Sequence, residues 1–253
     1  MLFEDRSRAE SFGAVAQLYD RARPTYPRAL IDVLLAGGAR TVLDVGCGTG
    51  TAAALLAARG CDVLGVEIDA RMAEVARSKG LEVEVSSFES WDDRGRRFNL
   101  VISGQAWHWI NPRTGASKAA DVLSAGGRVG LFWNFGRPPA DVQERLAPIY
   151  RRLEPDLRSF SVLFGNPGNR LDDTATGLAE SGRFTAVEVL RFEWSKSYST
   201  RTWLEVLTTH SNHQALAGPR LDAVLAEVRD AIDAVGGSFE VSYETTLIAA
   251  ARR

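Results

Sequence analysis

The run TVLDVGCGTG (41–50) joins five mostly apolar residues to three glycines spaced G-x-G-x-G, and the alanine-rich TAAALLAARG (51–60) follows at once. An apolar stretch of this length reads as a buried strand, and the next segment as a helix stopped by Gly60. Between them the chain has to turn sharply, which glycines at 46, 48 and 50 allow without a Cβ in the way. A strand that feeds a helix in this manner predicts a parallel sheet with crossover helices.

The rhythm then repeats. VLGVEI (63–68) is a second strand and ARMAEVARSKG (70–80) its helix, closed by Gly80. LEVEVSS (81–87) alternates as a third strand and FNLVISG (98–104) is a fourth. A helix around 113–124 ends before Gly126 and Gly127, and RVGLFWN (128–134) is a fifth strand. From Arg137 the pattern breaks: residues 137–182 hold five prolines and no clear alternation, which predicts an irregular, partly helical insertion. RFTAVEVLRFEW (183–194) resumes strand character, a helical stretch covers about 200–233, and SFEVSYETTLIAAARR (238–253) closes as a strand. Two late strands with no crossover rhythm between them predict an antiparallel edge.

The expectation is a single α/β domain over 1–253 with a mostly parallel seven-stranded sheet, an antiparallel last strand and a small helical cap. Within it, 1–38 is an N-terminal cap segment, 39–135 a cofactor-binding half, 136–182 a lid insertion, and 183–253 the C-terminal strands with a helical insertion. With 253 residues, 45% of them hydrophobic, the chain is long enough to bury a core without disulfide or metal staples.

Charge and cysteine usage narrow the function classes. Thirty basic residues against 32 acidic ones leave a net charge of -2, which disfavours phosphate-driven nucleic-acid binding. Cys47 and Cys61 have no CxxC or cysteine–histidine spacing, and two unpaired cysteines fit a reducing compartment. The segment MLFEDRSRAE carries charges where a signal peptide needs apolar residues, and no apolar run approaches the ~18 residues of a spanning helix. A cytoplasmic protein with no membrane partner is expected. His210 and His213 sit three apart on a predicted helix, but no third ligand accompanies them, so no metal is expected.

Asp44 lies inside an apolar strand two residues before the first glycine, where an unpaired carboxylate is costly and calls for a partner. Glu67 ends the second strand, 21 residues after Gly46, where a carboxylate can accept hydrogen bonds from both hydroxyls of a ribose. These features indicate a nucleoside-containing cofactor, for which two classes compete. The dinucleotide fingerprint G-x-G-x-x-G has its last glycine where this chain has Thr51. A carboxylate beside a pyrophosphate is repelled, whereas one beside an ammonium or sulfonium is stabilised, which favours a cationic ligand over NAD.

VLDVGCGTG followed by VEID resembles the nucleotide-binding half of class I S-adenosylmethionine-dependent methyltransferases, which implies a Rossmann-like methyltransferase fold. FGAVAQLYDRARPTYP (12–27) and SGQAWHWINP (103–112) resemble a small-molecule branch that includes the trans-aconitate methyltransferase-like proteins. The likeness spans nearly the whole chain and is strongest over 12–135. It implies S-adenosylmethionine as cofactor, with S-adenosylhomocysteine as product. Asp44, Gly46, Cys47, Gly48 and Gly50 would then lie along the methionine moiety, Glu67 on the ribose and Ile68 on the adenine. The turn after the third strand would contact the adenine through Ser87, Phe88 and Glu89, with Ser87 where an aspartate is common. Gln105 would border the methyl group, and Tyr19 and Arg23 of the N-terminal segment would fold over the cofactor.

Trp107, His108 and Trp109 follow the fourth strand at the edge where an acceptor should arrive. Three bulky rings in a row cannot all enter one core, so Trp107 and His108 are expected to line the substrate site, with Trp133 and Trp203. His108 is the candidate general base; the competing reading is a packed histidine bonded to backbone. Cys47 reads as a small filler within its loop. The leading expectation is methyl transfer to a small organic acceptor, mainly by proximity and orientation. The alternatives are an RNA or protein methyltransferase, a NAD-dependent oxidoreductase, and a cofactor-binding regulator without catalysis. Oligomeric state does not follow from the sequence.

Overall fold

A computed structural model describes residues 10–154, 169–216 and 218–253. One sheet organises the chain, built from β1 (Thr41–Val45), β2 (Asp62–Glu67), β3 (Glu82–Val85), β4 (Phe98–Gly104), β5 (Leu123–Arg137), β6 (Glu188–Ser199) and β7 (Ser238–Ala251). Its spatial order is β3-β2-β1-β4-β5-β7-β6. The first five strands pair in parallel, and β7 runs antiparallel to both β5 and β6. The chain moves outward from β1 to β3 and then returns to lay β4 against the other side of β1. That reversal opens a crevice outside the carboxyl ends of β1 and β4, where open α/β sheets bind ligands.

Consecutive residues of the central strands enter opposite cores. Leu43, Val101, Trp133 and Ile248 pack on one face, while Val42, Ile102, Phe132 and Leu247 pack on the other. Burial on both sides is why these strands read as continuous apolar runs instead of alternating ones. The N-terminal segment supplies α1 (Ala16–Ala22) and α2 (Arg28–Leu35), the latter burying Leu30, Ile31 and Leu34. The crossovers supply α3 (Thr51–Ala57), α4 (Ala70–Ser78) and α5 (Pro112–Val122). Asp69 caps α4 by accepting from the Arg71 amide, and Asn111 caps α5 through the amides of Arg113 and Thr114, with Pro112 in the first turn. Small residues on the buried face of α5 (Gly115, Ala116, Ala119 and Ala120) let it lie close to the sheet.

The later insertions build a second layer over the sheet's end. They contribute α6 (Ala140–Leu153), α7 (Arg170–Glu180), α8 (Thr200–Thr208), α9 (Ser211–Gln214) and α10 (Gly218–Asp233), of which α7 packs instead against α5 and buries Leu178 in the core that holds Trp107. Leu146, Tyr150, Trp203, Val224 and Val228 join Tyr198 and Tyr243 of the long strands in a separate apolar cluster. Among the described residues no helix is long and apolar enough to cross a membrane.

Several expected boundaries move. The second strand is Asp62–Glu67, and the third ends at Val85 instead of 87. The fifth, expected over 128–134, runs from Leu123 to Arg137, because Leu123 already pairs with Phe98 of β4 and β7 pairs with Phe135, Gly136 and Arg137 beyond the parallel part of the sheet. The sixth strand begins at Glu188 and reaches Ser199, while Phe184 makes only an isolated bridge to Arg252. The segment 137–182, expected as an irregular, partly helical insertion, contributes the helices Ala140–Leu153 and Arg170–Glu180, and its residues 155–168 lie outside the described residues.

Gly65 shows how tightly the strands and the glycine loop fit. A Cβ there would sit 2.6 Å from Cys47 Sγ and 3.2 Å from Val83 Cγ2. Gly65→Ala is expected to cost about 1–3 kcal/mol by overpacking, and Cys47→Ala in the same chain to restore part of it. Urea denaturation of Gly65→Ala, Cys47→Ala and the double variant measures this; additive losses would contradict it.

Candidate active site

The crevice is shaped by the turn between β1 and α3. Gly46, Gly48 and Gly50 all have left-handed backbones, with φ of 66°, 56° and 79°. The amides of Gly46 and Cys47 donate to the Val66 carbonyl at 2.8 and 3.2 Å, curling the turn toward β2. At Gly46 glycine is required twice over, since a Cβ would also lie 2.5 Å from that of Ala106. Above the turn is a cavity of about 300 Å³.

Two buried carboxylates stand beside the turn. Glu67 Oε2 accepts from the Gly48 amide at 2.8 Å and Oε1 from the Asp69 amide at 2.9 Å, which aims the carboxylate from the end of β2 into the cavity. Burial pushes its pKa up, with those amides pulling the other way. Asp44, on the neighbouring strand, is 1% exposed and neither oxygen has a hydrogen-bond partner among the described residues. Burial and then the charge of Glu67 push its pKa up to about 7. Two carboxylates placed this way, with no ion pair among the described residues, favour a ligand that brings positive charge or hydrogen-bond donors.

The N-terminal segment forms the facing wall and is fastened by polar contacts. Gly13 N donates to Asp69 Oδ2 at 3.0 Å, and Lys79 Nζ bridges the Asp20 carboxylate and the Thr49 carbonyl. Burial works to raise the pKa of Asp69, but hydrogen bonds from the Arg71 side chain and amide and from Gly13 hold it below its ordinary value. Arg23 stacks on the Tyr19 ring at 4.9 Å and donates to the Thr209 carbonyl at 3.3 Å, with His210 Nε2 3.5 Å from Nη1. Burial, followed by the charge of Arg23, drives His210 well below the ordinary histidine range.

Of the residues expected from sequence, Tyr19, Arg23, Gly46, Gly48, Glu67 and Ile68 line this cavity. Ser87, Phe88, Glu89, Gln105, His108 and Trp203 line it as well. Asp44 lies beneath it, and Gly50 instead opens α3 as its left-handed N-cap. Cys47 turns away into a small cluster with Ala73, Ala76 and Val83, as a filler and not as a wall. Trp107 and Trp133, expected at the substrate site, are both core residues. The reason is local geometry. Residues 107–109 form one 3₁₀ turn, whose residues point about 120° apart, so Trp107 enters the core while His108 and Trp109 face the cavity. Trp133 follows Phe132 in a strand buried on both faces and lies below the mouth, which is formed by Asn134, Phe135 and Gly136.

Sequence reasoning missed Phe12, Asn134, Arg170, Asn212 and Tyr243, which also line the cavity. Most come from the cap, and only their long-range placement brings them here. Gln105 adopts φ of 61°, a left-handed backbone in a residue with a side chain, and its Nε2 donates to the Asn134 carbonyl at 3.2 Å. Such strain persists where surrounding structure enforces it and is concentrated at functional sites. The histidine pair is split: His210 lines the cavity while His213 Nε2 meets the Tyr150 hydroxyl at 2.8 Å. No cluster of three metal-ligating side chains occurs among the described residues.

A methyltransferase-domain family profile matches residues 42–127, the span from β1 into β5. An uncharacterized methyltransferase of Mycobacterium tuberculosis is 32% identical over 209 residues, covering 81% of this chain and 79% of that protein. Among solved structures, a putative type II methyltransferase from Anaeromyxobacter dehalogenans superposes with a TM-score of 0.65 at 22% identity, over 90% of this chain and 97% of that one. Phosphoethanolamine N-methyltransferase 2 of Haemonchus contortus, in complex with S-adenosyl-L-methionine, gives 0.55 at 16% identity, over 98% of this chain and 59% of that one.

The position of Asp44 has a measurable cost. An unfolded chain ionises this carboxyl near 3.8, whereas the folded one holds the proton up to about 7. The folded state therefore binds more protons between those values, and stability falls as pH rises through that window. Asp44→Asn is expected to stabilise the ligand-free protein by on the order of 2 kcal/mol at about pH 8, the gain vanishing near pH 4. Urea denaturation at both pH values tests this; a gain independent of pH would contradict it.

Proposed function

This chain belongs to the S-adenosylmethionine-dependent methyltransferases, and on that premise we propose that it methylates a small organic acceptor held in the same cavity as the cofactor. The observation that carries the reading is the pair of buried carboxylates, Asp44 with no partner within hydrogen-bond distance and Glu67 aimed by two amides, beside a turn that presents only Gly46 and Gly48 to the cavity. That arrangement fits S-adenosylmethionine, which pairs a cationic methionine end with a ribose rich in hydroxyl donors, better than a pyrophosphate.

Glu67 has each oxygen engaged by one amide, and the remaining lone pairs can accept the two ribose hydroxyls. Ile68 and Phe88 offer apolar surface to the adenine, and Ser87 and Glu89 offer polar atoms at its edge. Asp44 and the Gly46–Gly50 turn lie toward the ammonium, while Arg23 suits the carboxylate by its guanidinium geometry. Tyr19 covers the site from the N-terminal segment, and Gln105 borders the methyl group. When bound, the cofactor supplies a methyl group already activated by its sulfonium.

The protein's task is then to hold an acceptor in line and to exclude water. Trp203, Trp109, His108 and Tyr243 form an aromatic boundary suited to a compact acceptor. A cavity roofed by the cap supports a small molecule over RNA or protein and agrees with the balanced charge. We place the chain with the small-molecule branch resembled by its 12–27 and 103–112 segments. In this reading 39–135 is the cofactor half of a single domain, and the remaining segments form the acceptor-side cap.

Calorimetric titration with S-adenosylhomocysteine, with NAD as control, tests the cofactor end. Binding of the former alone is expected, and Glu67→Ala should weaken it about 10–100-fold or more, the worth of at least one hydrogen bond to a charged group. Binding of NAD alone would sink the reading. Labelled methyl transfer into a small-molecule fraction, rather than into RNA or protein, tests the acceptor end.

A further inference from the structure

The imidazole of His108 lines the cavity, and its Nδ1 lies 3.2 Å from the indole Nε1 of Trp133. An indole nitrogen only donates, so Nδ1 must accept and the proton of the neutral ring resides on Nε2. Trp133 is 0% exposed, packed in the core of β5, and has no room to swing its N–H elsewhere. The two ring nitrogens point along different edges of the imidazole, so turning Nδ1 to the buried indole turns the Nε2–H edge away from it. We propose that Trp133 is a positioning residue that fixes His108 as the Nε2–H tautomer, so that His108 meets the methyl acceptor as a hydrogen-bond donor and not as a general base. This rests on reading the cavity as the site of methyl transfer.

A base acting through Nε2 needs a lone pair there, and this tautomer has none. Moving the proton to Nδ1 would set two N–H donors against each other. The charged groups lining the same cavity are Arg23, Glu67, Glu89 and Arg170, and His210 lines it too. Whatever their ionisation, the indole remains a donor, so the polarity of His108 does not depend on them. An N–H donor strengthens its bond when the acceptor atom is anionic. The site therefore suits a nucleophile that is ionised before it binds and has no proton for His108 to remove.

The chain has only three histidines, so protein labelled with nitrogen-15 histidine gives a sparse spectrum in which His108 is identified by its loss in His108→Gln. At neutral pH the wild-type ring is expected to show a fully protonated Nε2 and a fully unprotonated Nδ1 at well-separated shifts. Trp133→Phe should draw the two shifts together, as in a ring free to exchange tautomers. An imidazolium or an Nδ1-protonated ring in the wild type overturns the proposal, and so does a folded Trp133→Phe with an unchanged His108 signal. Should that variant fail to fold, the wild-type spectrum alone still decides. Adding S-adenosylhomocysteine to the same sample separates the underlying reading: no shift at any histidine would defeat the cavity assignment and leave the tautomer result standing.

Discussion

The desolvation of Asp44 and Glu67 beside one glycine turn is the constraint around which this molecule is arranged. A buried carboxylate is tolerated when something offsets its lost hydration. Glu67 receives two backbone amides: that of Gly48, placed by the turn after β1 as it curls onto the Val66 carbonyl, and that of Asp69, two residues along its own chain. Asp44 has no partner within hydrogen-bond distance among the described residues, and the pull of the Ala53 amide on its proton is smaller than the opposing effects of burial and Glu67. The fold thus compensates one carboxylate internally and leaves the other to be compensated from outside, and it can do so because the sheet's packing on both faces fixes where the strands end.

Much of this was legible from residues 41–135. Continuous apolar runs, glycines after helices and the placement of Asp44 and Glu67 are local signals, and β1 and β4 appear where the sequence reading put them. Ile68, Phe88 and Gln105, which the family resemblance implied for the site and which all lie within three residues of a strand end, do line the cavity. What failed was side-chain direction over short distances. Trp107, His108 and Trp109 are equivalent as letters, and only the 3₁₀ turn decides that the first is buried and the others face the cavity. Trp133 marks the same limit: a strand buried on both faces gives no alternation from which to tell its mouth from its core.

The cap was legible as helix but not as architecture. Its contacts join residues far apart in sequence, such as Arg23 with Thr209 and His210, or Tyr150 with His213. No periodicity encodes such pairings. The proline count led to an expectation of irregular, only partly helical chain over 137–182, yet Pro139 precedes α6 as its N-cap residue and Pro148 is accommodated within that helix. Proline before a helix start conflicts with no hydrogen bond of that helix, so proline density alone is a poor guide to disorder of the backbone.

The order of strands carries a consequence for synthesis. β7, the last of the described strands in chain order, lies between β5 and β6, and among the described residues β6 pairs with no other strand. As the chain emerges from N- to C-terminus, the parallel half can assemble around β1 while one edge of β5 and all of β6 wait with open backbone groups. Contacts between elements so far apart in sequence close slowly, and exposed edges invite pairing with other chains meanwhile. The five parallel strands can thereby assemble before β6 and β7 are paired, leaving the nascent sheet with an unprotected margin along β5.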